Sequence, residues 1–177
     1  MRFACCSGSC ASGVNWLFYL LMPANSIELL RSEWERARQG ALDFIDSMPD
    51  EGLTFRPVPE ILNFAGQFLH ISEYNYVFGA AVFGGGNPNT VQKAEEKPEL
   101  WTKAALRDFA AASYDFVIDG VGGLTPERLD EEIPFFRWTM PCRLVLAKAM
   151  EHHAHHRGQT AIYFRLQGIK PPSERLF

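Results

Sequence analysis

The sequence predicts an all-α chain folded as an antiparallel four-helix bundle, with a longer connection between the third and fourth helices. Three observations lead there. Four segments repeat apolar residues every three or four positions, the period of a helix that buries one face. Proline and glycine clusters at 49–52, 57–59 and 84–88 separate them and interrupt helix. No stretch shows a convincing strand pattern, and no internal repeat is visible.

The first helix is expected to begin after Asn25 or Ser26, since either side chain can cap it. Ile27, Leu30, Trp34, Ala37, Ala41, Phe44 and Met48 form its apolar stripe. Pro49 to Gly52 ends it, and Pro57 and Pro59 hold 53–59 as a loop. The second helix is expected over 60–83, with Ile61, Phe64, Phe68, Ile71, Tyr74, Val77 and Phe78 inward and His70 in its middle. Gly84-Gly85-Gly86-Asn87-Pro88-Asn89 breaks it. This run lacks the Lys-Ser/Thr of a phosphate-binding loop and follows no strand, so it reads as a mobile connection that can lie over a site. The third helix is expected over 99–118, with Leu100, Ala104, Phe109, Ala112 and Phe116 inward. In the connection 119–141, Thr125 caps a short helix, and the aromatic run 133–138 either walls a pocket or packs on the bundle end. The fourth helix covers 142–167. Gly168 stops it, and Pro171 and Pro172 prevent its continuation.

Length and charge narrow the function classes. At 177 residues the chain suits one domain with a sizeable core, and 47% hydrophobic with 21% charged residues is ordinary for a globular protein. A net charge of -4 gives no electrostatic case for nucleic-acid binding, and no Lys/Arg block suits an anionic membrane surface. The composition changes at Met22. Residues 1–22 read as a leader ahead of a 23–177 domain, with Met22 as the natural start and an export signal as the alternative. The apolar run 14–22 is too short to span a bilayer. Cys5, Cys6 and Cys10 crowd into this leader without a matching pair downstream, which argues against both a disulfide framework and a zinc site. Cys142, at the start of the last helix, reads as a small core or boundary residue, with a thiol activated by the helix N-terminus as the alternative. A cytoplasmic location is expected.

Four of the five histidines fall within Glu151-His152-His153-Ala154-His155-His156-Arg157-Gly158-Gln159. On a helix His152 and His156 share a face one turn apart, and two imidazoles at that spacing can chelate a metal ion. His70 is the one histidine left to supply a third ligand from another helix. Three protein ligands leave coordination positions open, as working metal sites do. A solvated histidine strip with a core His70 is the competing account. His155 lies near the same face and suits an outer-shell role, whereas His153 faces water or another helix. Gln67 and Glu73 lie within one turn of His70 and can approach a ligand it binds, although such residues are most often exposed. Gln159, one turn beyond His156, can orient a ligand or a metal-bound water.

Taken together, Arg56-Pro57-Val58-Pro59, Leu69-His70-Ile71, Met140-Pro141, the histidine cluster and 163–172 closely resemble the DinB family of damage-inducible, metal-binding four-helix bundles. The resemblance runs over about 27–172 in matching order and spacing. It implies a divalent ion held by His70, His152 and His156. Three imidazoles with open positions suit zinc, nickel, manganese or iron. The resemblance further implies a homodimer and, as in some relatives, chemistry with a low-molecular-weight thiol on a small-molecule substrate. The first functional expectation is therefore a metal-dependent thiol S-transferase. A metal-dependent hydrolase, with Glu73 as base, and a non-catalytic metal-binding stress protein are the alternatives. Gln159 and Glu73 are the candidate catalytic residues.

Overall fold

A computed structural model describes residues 26–176; the leader 1–22 and Asn25 lie outside them. Four long helices carry the fold: α1 (Ser26–Ser47), α2 (Phe64–Phe83), α3 (Lys103–Gly122) and α5 (Cys142–Leu166). Between α3 and α5 lie a short helix, α4 (Pro126–Asp130), and two strands, β1 (Glu132–Phe135) and β2 (Trp138–Pro141). The all-α four-helix bundle is thus present, and no described helix is long and apolar enough to cross a membrane.

Contacts between the helices fix their directions. Trp34 meets Tyr114 and Asp46 pairs with Arg107, so α1 and α3 are antiparallel. Asn75 bonds Ser113 and Phe83 packs on Phe116, so α2 and α3 run parallel, unlike the antiparallel order expected throughout. His70 meets His156 while Tyr74 meets His152, so α2 and α5 are antiparallel. Parallel neighbours need a return crossover, and residues 84–102 supply it. The chain leaves the far end of α2 and travels back alongside it to the start of α3. That path lays residues 93 and 94 against Glu73 of α2.

Caps decide the helix starts. The Asn63 side chain accepts the Gly66 N–H at 2.7 Å, which places the start of α2 at Phe64 and leaves 60–62 outside, later than the sequence pattern suggests. Thr102 caps α3 in the same way, and Thr125 caps α4 as expected. Gly168 (φ 73) stops α5, with the Ile169 N–H bonding the Phe164 carbonyl at 2.9 Å.

The inward faces of α1 and α2 follow the sequence stripe. Leu69 and Asn75 are also buried, because α2 packs against both α3 and α5. On α3 the buried face differs from the expected stripe. Leu106, Ala110, Tyr114, Val117 and Val121 are buried, Ala104 and Ala112 are exposed, and Phe109 and Phe116 pack on Tyr76 at the flank. Tyr114 decides this orientation by seating its whole ring beside Trp34 in the centre of the bundle. Phe44, Phe64, Phe68 and Phe164 form an aromatic knot where α1, α2 and α5 meet. Burying each such ring contributes roughly 1.5–3 kcal/mol.

The run 133–138 corrects the reading that no strand is present. β1 and β2 pair antiparallel, Phe135 opposite Trp138 and Ile133 opposite Met140. The signal was hidden because each strand has four residues, β1 contains Pro134, and the tight turn uses Phe136 at φ 51 where glycine or asparagine is usual. Proline is tolerated because both strands of a two-stranded sheet are edges. Ile133 and Phe135 alternate inward, and Phe135 stacks on Phe78 of α2 at 5.0 Å. Cys142 is buried behind this hairpin, and burial pushes its thiol up, which fits a core residue and not an activated nucleophile.

Candidate metal centre

The antiparallel pair α2–α5 brings His70 opposite His152 and His156, at mid-height in the bundle. The ring centroids lie 5.2 Å (His70–His152), 4.6 Å (His70–His156) and 4.5 Å (His152–His156) apart. One nitrogen from each ring lies within 4.8 Å of the other two. Two nitrogens on one ion at 2.0–2.1 Å can be no more than about 4.2 Å apart, so small side-chain rotations suffice to close all three on a common centre. All three side chains are half-buried, neither sealed from a ligand nor loose in solvent.

Burial is the main cause of low basicity at these rings, and each ring also repels charge on its neighbours. His152 is pushed down to about 4 and His156 to about 3 by burial and then by the other histidines. His70 is lowered by burial too, with Glu95 opposing. The three are therefore neutral at pH 7 with lone pairs available, which is the form that binds metal. Three neutral imidazoles, converging and mutually unfavourable when charged, fit a divalent cation.

The tautomer of His156 is set from the backbone. The Leu62 carbonyl can only accept, so the Tyr163 hydroxyl donates to it at 2.8 Å. That leaves the Tyr163 oxygen to accept from Gln67 Nε2 at 3.0 Å, which aims Gln67 Oε1 at His156 Nδ1, 2.7 Å away. His156 must then carry its proton on Nδ1, leaving Nε2 free as a ligand atom. The second Gln67 N–H goes to Gln159 Oε1 at 3.1 Å, and Gln159 Nε2 lies 2.8 Å from His155 Nε2. Gln159 and His155 are thus tied to the site through Gln67, and His155 itself is exposed.

Gln67, for which exposure was the expectation, is buried at 2%. Gln67 precedes His70 by three residues and Gln159 follows His156 by three, so both share the histidine faces; their burial depends on packing between α2 and α5. Glu73 does not join the three ligand atoms. Its carboxylate oxygens accept the backbone N–H groups of Lys93 (2.9 Å) and Ala94 (2.7 Å) in the crossover. Burial and the nearby Glu95 carboxyl raise it to about 7. Glu95, not foreseen from sequence, sits 3.8 Å from His70 Nδ1 through Oε1. No local pattern marks it, because the crossover path alone brings it there.

The site opens on a hollow of about 400 Å³ lined by Phe78, Lys148, Glu151, His152 and His155. Phe135 stacks on Phe78 from behind, so the aromatic run supports a lining residue and packs on the bundle without lining the hollow itself. The Tyr74 ring lies 4.7 Å from both His70 and His152.

His153 points away into the core, 2% exposed and edge-on to Tyr114 at 5.4 Å. Burial, then Arg157, pushes it down to about 3. A group whose folded value lies below its unfolded value of about 6.5 binds more protons when unfolded, so stability falls as pH falls between the two. The metal-free protein is expected to lose stability from about pH 6.5 downward. Replacing His153 by Gln should flatten that slope, as urea unfolding at stepped pH will show.

The sequence profile of the DinB superfamily matches residues 33–160, a span that contains His70, His152 and His156. The chain belongs to the DinB superfamily. Among solved structures, a DinB-like protein from Bacillus cereus ATCC 10987 is similar, with a TM-score of 0.67 and 20% identity, covering 82% of this chain and 95% of that one. A DinB-like protein from Bacillus subtilis gives a TM-score of 0.64 at 20% identity, covering 83% and 98%. At that identity the likeness concerns the fold. No curated protein matches the sequence.

Proposed function

We propose that this DinB protein holds one divalent metal ion through His70, His152 and His156 and serves as a metal-dependent thiol S-transferase for a low-molecular-weight thiol. The observation that carries the reading is the set of three neutral, convergent imidazoles, one with its tautomer fixed by Gln67, at the edge of an open hollow. A bound divalent ion would favour the thiolate of a small thiol at neutral pH. Phe78, backed by Phe135, offers an apolar wall for the electrophile, while Lys148 and Glu151 form a polar rim. The thiol sulfur forms the new bond to the electrophilic carbon, the leaving group departs with its electron pair, and the thiol proton goes to solvent. Gln67, Gln159 and Tyr163 keep His156 oriented throughout. A hydrolase would need a general base beside a metal-bound water, whereas both oxygens of Glu73, the base nominated from sequence, face the crossover backbone. A homodimeric state, a small-molecule substrate and a cytoplasmic setting belong to the same proposal.

The test is thioether formation between glutathione or bacillithiol and 1-chloro-2,4-dinitrobenzene. Acceleration by the metal-loaded protein, lost on chelation and restored by metal, is expected. A rate equal to the uncatalysed one, or one indifferent to chelator, would contradict the transferase reading. Thiol-independent cleavage of a nitrophenyl ester would favour a hydrolase.

A further inference from the structure

The crossover from α2 to α3 carries a carboxylate to the back of a metal histidine, and the local structure is built to keep it there. Ala94 is fully buried against α2. Lys93 holds φ 53, a conformation that a non-glycine residue keeps only when its surroundings over-determine it. That conformation presents the Lys93 and Ala94 N–H groups to the two oxygens of Glu73. The Trp101 indole N–H donates to the Glu95 carbonyl at 3.2 Å. Glu95 is therefore gripped on both sides, and its Oε1 faces His70 Nδ1 at 3.8 Å. Its Oε2 is buried, the neighbouring Glu73 carboxyl hydrogen-bonds this carboxylate, and among the described residues no lysine or arginine pairs with it, since Lys93 turns to Glu96.

Burying a carboxylate beside a second carboxyl, with no cation against it, is costly. The contact is also long for a hydrogen bond. Positive charge on His70 would compensate the carboxylate and shorten the contact to Oε1. When His70 ligates a cation through its other nitrogen, the Nδ1–H becomes a stronger donor and the ring takes on positive character. We infer that Glu95 is a positioning residue for the metal, holding His70 in the ligating tautomer and orientation, and that the crossover turn 93–96 is thereby mechanically part of the metal centre. This rests on the metal-binding reading above. It makes Glu73 a residue that acts on the metal at one remove, by fixing the turn that carries Glu95. Metal binding should in return tighten the turn, because linkage between two sites is reciprocal.

The test measures zinc affinity by competition with a chromophoric chelator, together with backbone hydrogen exchange of 93–97 with and without zinc. The wild type, Glu95→Gln, Glu95→Ala and Glu73→Gln are compared in full-length protein. Loss of an outer-shell partner typically lowers affinity about 10–100-fold, and Glu95→Ala should fall in that range. Glu95→Gln keeps the shape and an acceptor oxygen while removing the charge, so it should lose less and serves as the test variant if the alanine protein does not fold. In the wild type zinc should slow exchange at 93–97, and in Glu95→Ala that slowing should vanish. Glu73→Gln should speed exchange in the metal-free protein. Wild-type protein that binds zinc, beside Glu95 variants that bind it within twofold and show the same zinc-dependent slowing, would overturn the inference while leaving the metal reading intact. A wild type that binds no zinc, nickel, manganese or iron would remove both.

Discussion

Alanine at His70, His152 or His156 is expected to lower divalent-metal affinity by at least about 100-fold, the upper end of what losing a mere outer-shell partner costs. Each offers a nitrogen to a group of three that could hold an ion, and no other described His, Cys, Asp or Glu groups with them. Two imidazoles on α5 would remain after His70→Ala, a chelate with no partner across the bundle. His155→Ala should cost far less, since its ring reaches the site only through Gln159 and Gln67. His153→Ala should leave the affinity unchanged and instead lower stability, because that ring fills the core beside Tyr114. Isothermal titration with zinc, paired with thermal melts of the metal-free proteins, separates the two kinds of effect. An His153→Ala protein that loses metal while its melt stays unchanged would contradict the assignment.

Gln67→Leu carries the next largest expected effect, because one side chain serves three partners. It removes the acceptor at His156 Nδ1 and the donors to Tyr163 and Gln159. Without the acceptor His156 can place its proton on either nitrogen, and the tautomer with Nε2–H cannot ligate through that atom. A loss of about 10–100-fold in metal affinity is expected. The Gln67 site is buried, so unpaired groups around it should also cost about 1–3 kcal/mol of stability. Gln67→Glu sharpens the test. A carboxylate still accepts from His156 but offers no N–H to Tyr163, so it should keep most of the affinity while losing stability. Equal affinity in Gln67→Leu and wild type would show that the chain from Leu62 to His156 does not control the metal ligand.

What the sequence made legible was what repeats along a helix. The stripes of α1 and α2, the pairing of His152 with His156 and the stop at Gly168 all follow from local period and local chemistry. Even so, the buried face of α3 differs from the expected one, because Tyr114 outweighs Phe109 and Phe116 in deciding which side enters the core, and that choice depends on where Trp34 stands. The hairpin escaped notice because four-residue strands with a proline and a Phe-Arg turn lack the usual punctuation. Gln67 was legible in position but not in burial, since its partners Tyr163 and Gln159 come from another helix. Glu95 was not legible at all. Its place beside His70 follows from the parallel arrangement of α2 and α3, which forces residues 84–102 back along the bundle.

The central claim is that one ion is held jointly by α2 and α5. X-ray absorption at the metal edge tests it most directly, on protein purified without a histidine tag, loaded with zinc and freed of excess. The predicted result is one zinc per chain, with multiple-scattering features of three imidazole rings and nitrogen distances of about 2.0–2.1 Å. A spectrum fitted by two imidazoles, or a zinc content well below one per chain, would contradict it.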